Sequence, residues 1–258
     1  MLAQIQHELE LIEQNEGVKV LYACESGSRA WGFPSADSDY DVRFLYLRPH
    51  DWYLSIDVEH RRDVIERPIS DALDINGWDL RKALMLLRKS NPPLLEWLQS
   101  PIVYLDRYQA AQSLRSLLPR FHSPLSCAYH YLSMARNNHN AYLRGDQVKL
   151  KKYFYVLRPL LAVQWLEAKR GPVPTEFHSL VQSLVGDSAL KNAIENLIAI
   201  KRCGGESDNA ARVPEFDAFI EAELVRLQGV DFQLQALHAN TEPLNQFFRQ
   251  MLDEAWNT

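Results

Sequence analysis

The chain is 258 residues long, with 28 Lys and Arg against 33 Asp and Glu and a formal net charge of −5. That length suits one large domain or two modest ones, and the 47% hydrophobic share is that of an ordinary globular protein. The acidic balance excludes a bulk nucleic-acid binder, although a local basic patch remains compatible with it. Three scattered cysteines exclude a disulfide framework and a cysteine-rich zinc site.

In chain order, Leu2, Ile5, Leu9 and Ile12 recur at helical spacing and predict an amphipathic helix ending near Gly17. The N-terminus lacks a signal-peptide layout. No apolar run reaches membrane-spanning length, so a cytoplasmic protein without a membrane partner is expected. The apolar run 18–24 reads as a buried strand and Tyr40–Leu47 as a second one. The stretch between them is rich in turn residues, Gly27-Ser28 and Pro34 among them. Segments 64–69 and 72–75 are short strand candidates, and Pro68 makes the first an edge. Asn76-Gly77 reads as a turn, Trp78–Arg88 as a helix with Leu80, Ala83, Leu84 and Leu87 on one stripe, and 94–98 as a short helix. Beyond about Tyr104 the periodicity is helical throughout. It predicts helices over 105–118, 124–144, 148–169, 175–185, 187–202, 214–228 and 243–255, with Pro119, Pro159 and Gly204-Gly205 among the breaks or kinks.

The chemistry concentrates between the first two strands. Side chains alternate along a strand, so Asp39 and Asp41 are expected on one face, with Tyr40, Val42, Phe44 and Tyr46 on the other. Adjacent carboxylates repel unless a cation lies between them. Gly27 and Gly32 have the glycine spacing of a Walker A loop, but Phe33-Pro34 stand in place of Lys-Ser/Thr. Asp37, Asp39 and Asp41 match the start of an EF-hand loop, but Val42 replaces its glycine and Arg48 its terminal glutamate. Both readings fail on those residues.

Gly27-Ser28 followed by Asp39-x-Asp41 on the next strand resembles the DNA polymerase beta-like nucleotidyltransferase superfamily. The longer string 27–43, with Leu73–Lys82 and Lys151–Leu161, resembles its RlaP-type branch, some members of which are associated with RNA repair. The composition shift near position 100, with Pro101 at the joint, predicts an α+β fold with a small mixed sheet over 1–100 and an all-helical domain over 101–258; the resemblance implies that the first is catalytic and the second closes a nucleotide cleft. It implies Mg2+- or Mn2+-dependent transfer of a nucleoside monophosphate from an NTP, such as ATP, to a hydroxyl on an RNA end, a small molecule or a protein. Asp39 and Asp41 are then catalytic metal ligands, joined by a third acid. Asp74 is preferred over Asp79, which a helix start would also explain, and Glu66 and Asp71 are read as surface acids. Gly27, Ser28 and Arg29 are expected at the phosphates. Lys152, Tyr153 and Arg158 are expected to meet the nucleotide from the helical half, with a solvated basic face as the alternative for the lysines. For Arg43, a salt bridge to the aspartates and a substrate role both remain open. The histidines and tryptophans read as packing, capping or surface residues. The second functional class compatible with these residues is a nucleotide-binding regulatory protein without turnover.

Overall fold

The computed structural model describes residues 1–70, 72–203, 209–237 and 240–257. Asp71 and the Gly204-Gly205 break lie outside those residues. The fold is mixed α+β and the chain divides into two compact units, Met1–Ala30 with Asp39–His122 and Leu237–Thr258, and Trp31–Ser38 with Ser123–Ala236.

The first unit is built on a five-stranded mixed sheet: β1 (Lys19–Glu25), β2 (Tyr40–Leu47), β3 (Val64–Glu66), β4 (Leu73–Asp79) and β5 (Val103–Asp106), in spatial order β3-β4-β2-β1-β5. The strand β2 pairs antiparallel with β1 and parallel with β4. Helix α1 (Leu2–Glu16) buries Ile5, Leu9 and Ile12 and stops at Gly17, whose left-handed backbone (φ 61°) returns its N–H to the Glu13 carbonyl. That apolar stripe packs in one core with Val20, Val42, Phe44, Tyr46 and Ile75 from the sheet. The alternation foreseen for β2 therefore holds, and β3 is an edge strand as Pro68 indicates.

Three expectations are corrected here. Asn76-Gly77 is not a turn but the middle of β4, paired with Arg43 and Phe44. Gly77 is there because the Phe44 ring lies across it: a Cβ would stand 2.2 Å from that ring. Trp78 and Asp79 accordingly end the strand, and α4 (Leu80–Arg88) starts two residues later than expected, burying the foreseen stripe. The expected helix 105–118 is instead strand β5 followed by α6 (Ala110–Phe121), which runs through Pro119. The remaining helices of this unit are α2 (Gly27–Trp31), which reaches the second unit at Trp31, α3 (His50–Tyr53), α5 (Pro92–Leu98) and the C-terminal Glu242–Trp256.

The second unit contains α7 (Pro124–Tyr142), α8 (Lys151–Glu167), α9 (Phe177–Leu184), α10 (Ala189–Arg202) and α11 (Pro214–Arg226), all close to the predicted spans; the C-terminal helix of the first unit is then α12. It also holds a two-stranded ribbon, β6 (Gln147–Lys149) with β7 (Asn209–Ala211), that the helical periodicity did not foretell. The segment Trp31–Ser38 anchors here through Phe33, stacked on Phe154 at 4.3 Å and edge-on to Phe177 at 5.7 Å. Helix α8 continues through Pro159, which is buried.

Candidate functional site

Three strands of the first unit bring acids to one end of the sheet. Glu25 ends β1, Asp41 is the second residue of β2 and Asp74 the second of β4. Because β2 and β4 run parallel in register, Asp41 sits directly beside Asp74, while Glu25 pairs with Val42 on the other side. The Ser26 N–H donates to the Asp41 carbonyl at 2.8 Å, which turns the chain out of β1 into the short helix α2.

Gly27 belongs at that turn for two reasons. Its φ is +57°, a region that L side chains rarely adopt. A Cβ there would also stand 1.9 Å from Asp41 Oδ2. The Gly27 backbone and the Asp41 carboxylate are therefore in close apposition, so the glycine-serine bend and one expected acid share a site. Arg29 joins them. Its guanidinium lies 3.7 Å from the Tyr40 ring centroid and its Nε donates to the Asp39 carbonyl at 3.2 Å. Ser28, half-buried, lies between Gly27 and Arg29 in α2.

Arg43 Nη2 donates to Asp74 Oδ2 at 2.7 Å and to Asp41 Oδ1 at 3.4 Å, while its Nη1 donates to the carbonyls of Val42 and Asp74. The guanidinium therefore spans the two acids and is the salt bridge that the sequence left open. Burial raises the pKa of Asp41; Arg43 pulls it down, while Asp74 and Asp39 push it up. Asp39 precedes β2 rather than lying on it, and its side chain is exposed. It acts on Asp41 through space.

Glu25 is the residue sequence reasoning missed. It is fully buried, accepts the Asp41 N–H at 2.7 Å and accepts the Tyr104 hydroxyl, and burial raises its pKa. The sequence signal was a lone acid closing an apolar strand two residues ahead of Gly27. By holding the Asp41 backbone, it fixes the carboxylate that borders Gly27.

Asp79, the rival third acid, stands at the far end of β4. It is 1% exposed, caps α4 by accepting the Arg81 N–H at 2.8 Å, and accepts the Tyr53 hydroxyl at 2.7 Å. Burial pushes its pKa up to about 6 against those two hydrogen bonds. Glu66 is exposed on β3 and pairs with Arg62.

The three expected nucleotide contacts of the helical half lie in the second unit, and two are built into its interior. The Tyr153 hydroxyl donates to Asp217 Oδ1 and accepts the Val213 N–H. Arg158 is 2% exposed, with Nη2 donating to the carbonyls of Pro174 and Thr175 and its guanidinium 5.0 Å from the Trp31 ring centroid. As packed, both side chains are held by partners within that unit. Lys152 differs: its Nζ lies over the rings of Tyr142 and Tyr155 at 4.0 and 4.8 Å.

As donors, Asp39, Asp41 and Asp74 fit a divalent cation: they are hard oxygens whose mutual repulsion is already felt at Asp41. Among the described residues, no three His, Cys, Asp or Glu side chains gather as a ready ligand group, and Arg43 takes up the charge between two of the acids.

With this geometry in hand, comparison with known proteins identifies the class. Residues 1–250 match RlaP, described as an RNA repair pathway DNA polymerase beta family, and the chain belongs to that family. It is 50% identical over 258 residues to the uncharacterized protein YcgL of Bacillus subtilis (strain 168), covering 99% of this chain and 98% of that one. A crystal structure of a nucleotidyltransferase-like protein from Exiguobacterium sibiricum aligns over 98% of this chain and 91% of its own, at 11% identity and a TM-score of 0.29. That overlap is too slight to bear on fold or function. No helix among the described residues is long and apolar enough to cross a membrane.

Proposed function

We propose that this chain is a divalent-metal-dependent nucleotidyltransferase that moves a nucleoside monophosphate from an NTP to an acceptor hydroxyl. One observation carries the proposal: Asp41 and Asp74 stand on paired rungs of β2 and β4, and the Gly27 backbone lies against Asp41. In the reaction, the acceptor oxygen bonds to the α-phosphorus, the bond to the bridging oxygen breaks, and pyrophosphate leaves. A metal held by Asp39, Asp41 and Asp74 would supply charge neutralisation at the transferred phosphoryl group. Asp74 would take the proton of the attacking hydroxyl, and Ser28 and Arg29 would receive the negative charge of the pyrophosphate. Glu25 keeps the Asp41 backbone fixed while this happens. The family description makes an RNA end the first acceptor to try, ahead of a small molecule or a protein.

A second reading, a nucleotide-binding regulator without turnover, is favoured by one fact: Arg43 already bridges Asp41 and Asp74. Two measurements separate them. Thermal shift with each of the four NTPs, with and without Mg2+, asks for metal-dependent binding. Labelled NTP with candidate acceptors asks for transfer. The transferase reading expects a metal-dependent NTP shift and label incorporation that Asp41→Asn with Asp74→Asn lowers by more than about 100-fold. An NTP shift without incorporation into any acceptor favours the regulator. No NTP shift at any metal concentration defeats both.

A further inference from the structure

The negative net charge of the chain conceals a basic segment. Residues 136–158 contain six Lys or Arg and one acid, Asp146, giving +5 within a chain of −5. Two of these cations are already engaged: Arg136, though exposed, donates to the Leu227 carbonyl, and Arg158 is the buried residue described above. The others, Arg144, Lys149, Lys151 and Lys152, remain at or near the surface of the second unit.

The lysines crowd one another. Lys152 is discouraged from charging by burial first and then by Lys151 and Lys149. Lys151 and Lys152 also open a 17-residue helix with no acid in its first turn, so their charges oppose the helix dipole. Lys151 acts on Asp37 from a distance, after Ser35 and Lys201. Like charges held at this cost call for an anion.

Aromatic faces accompany them. Tyr142 and Tyr155 are 43% and 41% exposed, and the Lys152 ammonium rests over both rings. Tyr155 is further steadied by the edge of Trp31, with ring centroids at 5.7 Å, and by the Asn138 amide on its carbonyl. Ammonium groups beside partly exposed aromatic rings are the combination that grips phosphates and stacks bases of an unpaired strand.

We propose that Lys149, Lys151 and Lys152 with Tyr142 and Tyr155 form a binding surface for single-stranded polynucleotide, the lysines taking backbone phosphates and the tyrosines stacking bases. It rests on the transferase reading only in that the bound strand would be the acceptor. It also reassigns Lys152 from the triphosphate of an NTP to the phosphates of a strand.

The test is fluorescence anisotropy of the full chain with labelled 12-residue RNA and DNA of mixed sequence, at about 50 and 200 mM KCl. Wild type should bind at least one of them with a marked salt dependence; the two arms distinguish RNA from DNA as the ligand. Changing Lys149, Lys151 and Lys152 together to Gln should weaken binding more than about 10-fold and reduce the salt slope by about 2 to 3. Tyr142→Ala with Tyr155→Ala should weaken it about 5-fold or more with the slope kept. Lys149→Gln alone, at an exposed strand position, provides the reading if the triple variant does not fold, and should reduce the slope by about 1. Binding of neither strand by wild type, or affinity unchanged in the variants, overturns the proposal. So does loss of the NTP thermal shift in the lysine variants, because the lysines would then serve the triphosphate. Asp41→Asn with Asp74→Asn should retain oligonucleotide binding, so failure of the transferase reading and failure of this surface appear in different assays.

Discussion

The two ends of strand β4 carry the same residue type in opposite circumstances. Asp74, at the start, is partly exposed, adjoins Asp41 across the ladder and shares Arg43 with it. Asp79, at the end, is sealed from solvent and spends both oxygens on Tyr53 and the first turn of α4. At the first end, two carboxylates stand together and the Arg43 guanidinium meets them. At the second, fixed dipoles meet a single carboxyl and burial still pushes it towards the neutral form. A strand can thus leave an acid open to solvent at one end and seal another into the architecture at the other, five residues apart. What separates them is the surroundings, not the residue.

The largest effect expected from this contrast is a pH dependence located at Asp79. In the fold its carboxyl keeps a proton up to about pH 6, whereas an unfolded-chain Asp loses it near about 3.9. Between those values the native state binds more protons than the unfolded state. The stability this group contributes is therefore full below the unfolded value and lost as pH rises through about 6. Asp79→Asn removes the titration while keeping an oxygen for the Arg81 N–H. Measured by denaturant unfolding, the stability of wild type relative to this variant should fall by about 2 kcal/mol between about pH 4 and pH 7. Parallel curves for the two proteins would show that Asp79 does not titrate here.

At the other end the sharpest probe is Gly27→Ala. The new methyl group meets the Asp41 carboxylate and an unfavourable backbone, the latter costing about 1 to 2 kcal/mol. Because the atom in the way belongs to a side chain, Asp41 can swing aside. The chain should then fold with a melting temperature lower by a few degrees, and metal-dependent NTP stabilisation should be lost. A variant that keeps full NTP stabilisation would separate Gly27 from the acids.

Much of this was legible in the sequence, for local reasons. Helical spacing placed α1, α4, α7 and α9 to α11 because each buries one stripe, and α8 by its long apolar run; the resemblance picked out Gly27 and Asp41, which the fold sets against each other. What escaped depended on distant partners. Strand β5 is an edge with its two terminal residues exposed, so it shows no alternation, and it exists through pairing with β1 some eighty residues earlier. Gly77 was read as a turn because its need is the Phe44 ring on the neighbouring strand. Glu25 gave one letter of signal, since its partners are Tyr104 and the Asp41 backbone. The inward partners of Tyr153 and Arg158 were not legible, because a polar tip looks alike in sequence whether it reaches a ligand or a buried partner.

The smallest expected effect concerns the cation between the acids. Arg43 is partly buried, with 18% of its side chain exposed, and serves both Asp41 and Asp74. In Arg43→Gln the two carboxylates keep their places but lose their counter-charge. The cost should be about 1 kcal/mol, less than for a fully sealed pair because solvent reaches all three groups. If the acids of this end are an exchangeable cation site, Mg2+ should restore the lost melting temperature and NaCl of equal ionic strength should not, since only a divalent ion binds the pair rather than screening it. Equal recovery by both salts would reduce the Asp74 end to an ordinary salt bridge, and the contrast along β4 would then be one of exposure alone.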